Sequence, residues 1–115
     1  MKTAKRILKS FRHAFKGIHE AFVEGQNFRI MVYGVLASLV VFGMKPISSV
    51  YMTALIFSGA FMLVVELVNT AMEKGLDLVL PASLEEIRVI KDIMAAASLV
   101  ASISWFLILM LALIA

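Results

Sequence analysis

The chain has no cysteine among its 115 residues, which excludes disulfides, thiolate metal sites and cysteine nucleophiles. Charge is scarce as well. Asp, Glu, Lys and Arg make up 17% of the residues and hydrophobic side chains 62%, well above the roughly half that soluble domains carry. With a mean hydropathy of +0.97, this is the composition of a membrane protein. Acidic residues are missing outside two short windows, since all eight fall at 20–24 or 66–92. Phosphate-cradling loops are absent too: neither G-x-x-x-x-G-K-[ST] nor G-x-G-x-x-G occurs, so the sites of the common nucleotide enzymes are excluded. So short a chain holds one small domain, and a single copy could bury little polar surface away from lipid. Self-association is expected.

What is present divides into an all-α integral membrane arrangement of one surface helix and three transmembrane helices. Residues 2–25 place Ile7, Leu8, Phe11, Ala14, Phe15, Ile18, Ala21 and Phe22 at helical spacing, with Lys2, Lys5, Lys9, Arg12 and Lys16 on the other side. That is a basic amphipathic helix lying in the headgroup layer. A basic stripe backed by so apolar a face does not suit nucleic acid. The first thirty residues hold seven Lys/Arg but no apolar core followed by a small-residue cleavage site, so they do not read as a signal peptide.

Ile30 to Met44 is charge-free, and Phe28 together with snorkelling Arg29 and Lys45 extends it to a first span over 28–45. Pro46 marks a turn, because proline disfavours helix in the residue before it. A second span covers 46–73. Residues 74–90 read as a polar connection broken at Pro81, with Ser83 and Glu86 forming a capping box for the helix that follows. A third span covers 91–115, of which 93–115 carry no charge. The Lys/Arg distribution places the N-terminus and the 74–90 connection in the cytoplasm and Lys45 outside.

The segment E-L-V-N-T-A-M-E-K-G-L-D at 66–77 holds Glu66, Asn69, Glu73 and Asp77. At about 100° per residue the three acids lie within roughly 40° of one another and Asn69 about 60° away. For Glu73 and Asp77 a solvated helix end is a sufficient account. Glu66 and Asn69 interrupt an apolar run, and ionisable groups at membrane depth default to function. Two carboxylates two turns apart suit a division of labour: one, partly desolvated, takes a proton from a hydroxyl, and the other holds a divalent cation. Lys91-Asp92 at the mouth of the third span offers a cation for an anionic ligand or serves only as a snorkelling anchor.

The same segment resembles the E-x-x-N-[ST]-A-x-E-x-x-x-D signature of the prokaryotic diacylglycerol kinase family. K-D at 91–92, R-I-L-K-S-F-R-H-A-F-K-G at 6–17 and N-F-R-I at 27–30 resemble its other landmarks, so the likeness covers nearly the whole chain. The resemblance implies a homotrimer with active sites between subunits, in the cell's inner membrane with the sites on the cytoplasmic side. The reaction it implies is transfer of the ATP γ-phosphate to a lipid hydroxyl with Mg²⁺. Glu66 would be the base, supported by Asn69; Glu73 would hold Mg²⁺ against the phosphates; Lys91 and Asp92 would bind the nucleotide; and Arg6 would stand near ATP and lipid. Phosphoryl transfer asks mainly for positioning and charge neutralisation, so this set is sufficient.

The family's diacylglycerol and undecaprenol branches are both open, with N-T-A and N-F-R-I leaning toward undecaprenol. Two departures stand out. Gly25 occupies the position of a second metal-binding Glu, with Glu24 one residue earlier, and His13 replaces a tyrosine near the nucleotide. The competing readings are a catalytically degenerate member acting as an assembly or regulatory subunit, and a small proton-coupled transporter. The transporter would want its carboxylate at mid-membrane with access from both sides.

Overall fold

A computed structural model describes residues 2–81 and 83–115. The described residues form four α-helices: α1 (Lys2–Glu24), α2 (Gln26–Met44), α3 (Ser49–Val79) and α4 (Glu85–Ile114). The last three are long and apolar enough to cross a membrane, in keeping with an all-α membrane protein. The amphipathic α1 is exposed along nearly all its length. Phe11 and Phe15 are 59% and 67% exposed, and Ala21 is its one buried residue. A helix that leaves such side chains uncovered needs lipid or another subunit over them.

Between α1 and α2 the backbone breaks at Gly25, which is extended (φ −97°, ψ 105°). Two interactions hold this break. The Arg29 guanidinium donates from Nη1 to the carbonyls of Phe22 and Val23 at 2.8 and 2.7 Å, satisfying acceptors that the end of α1 leaves free. Phe22 meets Tyr33 edge-on, with ring centroids 5.7 Å apart. A Cβ on residue 25 would lie 2.7 Å from the Ala21 carbonyl oxygen, so the break admits glycine and resists anything larger.

At the far end of the bundle, Lys45 and Pro46 leave the helix as expected. Ser48 caps α3 by accepting from the Tyr51 backbone N–H. Phe42, Leu55 and Ala112 form a buried apolar cluster there, with Tyr51, Met52 and Ile108 packed on it. Lys45 Nζ donates to the Leu113 carbonyl at 3.3 Å, tying the α2–α3 turn to the end of α4. Midway along, Trp105 of α4 fits against Gly34 and Gly59. Added Cβ atoms would stand 3.4 and 3.2 Å from its indole, so the small residues are what let these helices approach.

The elements differ from the sequence expectation mainly at the connection. The helix of the second span does not stop at 73 but runs to Val79, and α4 already begins at Glu85. Only residues 80–84 remain between them. At 31 residues, α3 is about 46 Å long, longer than the roughly 30 Å hydrocarbon layer, so its polar end stands clear of it. Leu80 is extended, as a residue before proline must be, while its N–H still closes on the Leu76 carbonyl at 3.0 Å. The capping box expected at Ser83 and Glu86 does not form. Leu84 takes the cap position with no side-chain hydrogen bond, one residue too late for Ser83 to reach the first turn. Glu85 and Glu86 in that turn supply the favourable charge instead.

Candidate active site

The polar end of α3 faces α4 on one side and the α1–α2 break on the other, and four of the candidate acids line one cavity there. Glu66 is 6% exposed. A carboxyl group so placed needs a hydrogen-bond partner, and it has one: Ser98 of α4 donates from Oγ to Glu66 Oε2 at 2.6 Å. Thr70 closes on the Glu66 backbone carbonyl at 2.9 Å, so one turn further along α3 is also fixed. Glu66 borders a cavity of about 370 Å³ lined by Glu24, Gly25, Gln26, Asn27, Thr70, Glu73, Lys74 and Asp77.

Four of the expected residues or their stripe-mates therefore share one space: Glu24, Glu66, Glu73 and Asp77. The glutamate displaced by one residue reaches it because α1 ends at Glu24. A continuous helix would have turned position 24 by about 100° from position 25, and the break at Gly25 removes that constraint. Hard carboxylate oxygens suit Mg²⁺, which is commonly held by one or two carboxylates with substrate phosphates completing its shell. Among the described residues no three His, Cys, Asp or Glu close into a cage of their own. The donor set fits a cation that arrives with a phosphate ligand.

Two ammonium groups attend the acids. Lys74 is paired with Glu24 across fifty residues of sequence. It lies beyond the charge-free part of α3, and the hydrogen bond to Glu24 holds it above the usual lysine range, against desolvation, with the charges of Glu24 and Glu20 adding. Lys91 Nζ donates to Asp77 Oδ1 at 2.6 Å, which sets it beside an acid of the cavity without lining the cavity itself. Asp92 turns away from it and accepts from Arg88 Nη1 at 2.7 Å. Arg88 also grips Glu85, outside the charge-free segment of α4, and this hydrogen bond holds the Glu85 carboxyl below the ordinary carboxylate range. All of these pairs but the half-buried Lys91 with Asp77 are exposed on both sides, and such exposed pairs add little to stability.

Asn69 departs from the expectation of a single polar face. It lines a separate apolar groove with Val64, Val65, Val68, Met94 and Ala97, and its Oδ1 is buried with no hydrogen-bond partner. The 60° that separates it from Glu66 is enough to carry it across the α3–α4 contact. Arg6 and His13 lie on the exposed part of α1 and do not line the cavity of their own chain. Two contributors, Ser98 and Lys74, carry no signal in the sequence. Their partners are 32 and 50 residues away, and no local spacing reports such pairs.

Residues 12–113 match the prokaryotic diacylglycerol kinase family. Over 102 residues the chain is 31% identical to a diacylglycerol kinase of Synechocystis sp., a match covering 88% of this chain and 58% of that protein. The chain thus spans somewhat over half the length of the curated relative it matches.

Proposed function

The chain belongs to the prokaryotic diacylglycerol kinase family, and from that premise we propose that it is a lipid kinase moving the γ-phosphate of ATP to the hydroxyl of a membrane lipid alcohol. One observation carries the reading: buried Glu66, at the edge of the apolar bundle, opens on the same cavity as Glu24, Glu73, Asp77 and Lys74. A carboxylate at that border can meet a lipid hydroxyl from the membrane side while the phosphates enter from the polar side. Glu66 accepts the hydroxyl proton, the freed oxygen bonds to the γ-phosphorus, and the bond from that phosphorus to the ADP oxygen breaks.

Glu73, with Glu24 across the cavity, would hold the Mg²⁺ that neutralises the phosphates. Lys91 contacts the phosphates by exchanging Asp77 for them, and Lys74 is the cation nearest Glu24. Asn69 lines the neighbouring groove with its Oδ1 unpartnered, so in this reading its support of Glu66 comes only with a ligand or a second subunit in place. Asp92 fixes the nucleotide once Arg88 releases it. Arg6 and His13 sit on an uncovered helix and do not line the cavity of their own chain, which favours a homotrimer in which α1 serves a neighbouring subunit's site. The basic N-terminal helix and the Lys/Arg balance support a site on the cytoplasmic side of the inner membrane. The acceptor is diacylglycerol, giving phosphatidic acid, or undecaprenol, giving undecaprenyl phosphate.

The test is transfer from γ-labelled ATP to a panel of lipid alcohols in mixed micelles with Mg²⁺. Labelled product from one or both acceptors is expected, lost on Glu66→Gln. No transfer to any acceptor, with Mg-ATP binding also lost in an assembled protein, would leave the regulatory-subunit reading in its place.

A further inference from the structure

Hydroxyl side chains in helices ordinarily give their one proton to a carbonyl on the preceding turn of their own helix. This chain does so repeatedly. Ser10, Ser38, Ser58, Ser102 and Ser104 each donate to the carbonyl three or four residues back, at 2.7 to 3.2 Å. Ser98 departs from the pattern. Its Oγ sends the proton across to α3, to Glu66 Oε2 at 2.6 Å, in the range of charge-assisted bonds. Both partners are buried, at 7% and 6% exposure. Its own carbonyl accepts from Ser102 Oγ at 2.8 Å, so the next hydroxyl along α4 keeps the ordinary pattern that Ser98 leaves.

From this we propose that Ser98 is a positioning residue for the phosphoryl transfer, one that clamps Oε2 of Glu66 and leaves the other carboxylate oxygen turned to the acceptor hydroxyl. The inference rests on the kinase reading above. A carboxylate on a flexible two-carbon stem can rotate about its last torsion, and a misplacement of an ångström lowers the rate without abolishing binding. One fixed donor removes that freedom. The same face of α4 carries Lys91 seven residues earlier, about two helical turns, and Lys91 meets Asp77 on α3. The two contacts hold α4 to α3 on either side of the reacting region, one buried and one wet. Rotation of α4 would therefore disturb the base and the phosphate contact together.

The experiment compares Ser98→Ala, Ser98→Thr and Ser102→Ala in the full-length protein in mixed micelles. Ser98→Ala is expected to lower kcat about 10- to 100-fold, the rate equivalent of one hydrogen bond to a charged group, with the KM for ATP unchanged. Ser98→Thr, which keeps the hydroxyl, is expected to stay within a few-fold of the native rate. Ser102→Ala, which removes a hydroxyl from the next turn, is expected to leave it unaltered. A native rate in Ser98→Ala overturns the proposal, and so does an equal loss in Ser98→Thr or a loss that appears only as a raised KM for ATP. The hydrogen bond itself is read without turnover: the carboxylate stretch identified by its disappearance in Glu66→Gln should shift in Ser98→Ala, and an unmoved band overturns the clamp. If the native chain transfers phosphate to no lipid alcohol, the kinase reading and this inference fall together. If it does transfer and Ser98→Ala is inert, only the inference falls.

Discussion

The two ends of the α3–α4 pair are held in different ways. At the Pro46 end, contact is apolar: Phe42, Leu55 and Ala112 are at most 2% exposed, and the polar ties are a serine cap and one lysine on a terminal carbonyl. At the Pro81 end, the same helices meet through Ser98 on Glu66 and Lys91 on Asp77, with Lys74 reaching Glu24 beyond them. The apolar end has shape and no chemistry. The polar end has directional contacts whose partners could be exchanged for a ligand, and it is there that a buried carboxylate is kept open to a cavity. Helices in lipid gain little from hiding apolar surface from one another, so packing at one end can secure the fold while the other stays available for binding.

Four substitutions would break or sharpen that contrast. The largest effect is expected at Glu66→Gln, where losing the base should lower phosphate transfer about 10²- to 10⁴-fold. The thermal melt in detergent should hardly move, because the amide can still accept from Ser98. Next is Leu55→Ala at the apolar end, expected to destabilise the protein by on the order of 2 kcal/mol through the cavity it leaves, with kcat per folded molecule intact. A lowered kcat in the folded fraction would erase the distinction between the ends. Gly25→Ala comes third. Its Cβ meets the Ala21 carbonyl, so the break must shift and carry Glu24 with it, and the KM for Mg-ATP should rise roughly tenfold as that support is lost. The smallest effect is expected for Lys74→Met. Its pair with Glu24 is half exposed on both sides, so melting should be unchanged, and a modest rise in KM for Mg-ATP that shrinks with added salt should be the only trace.

Much of the site is legible in the sequence because it lies on one helix. Glu66, Glu73 and Asp77 fall on a common face by the 3.6-residue period alone, and they do share a cavity. Asn69 is the exception on the same helix. Its offset is small on a helical wheel and decisive at a contact, since a neighbouring helix divides the two sides sharply. The capping box fails for a similar reason: spacing identifies a motif but not the residue at which Pro81 lets the helix begin.

By itself the sequence determined the helical class, three apolar segments of membrane length, a basic surface helix and the polar face at 66–77. Each follows from composition or from a period that repeats within a few residues, and such local rules need no neighbour. Only the tertiary structure decided that Glu24 reaches the cavity through the break at Gly25, that Lys74 joins it, and that Ser98 rather than Asn69 touches Glu66. Those outcomes depend on the rotation and crossing of helices brought together from distant parts of the chain. Packing sets these angles through side chains such as Trp105 against Gly34 and Gly59, and no short-range pattern encodes them.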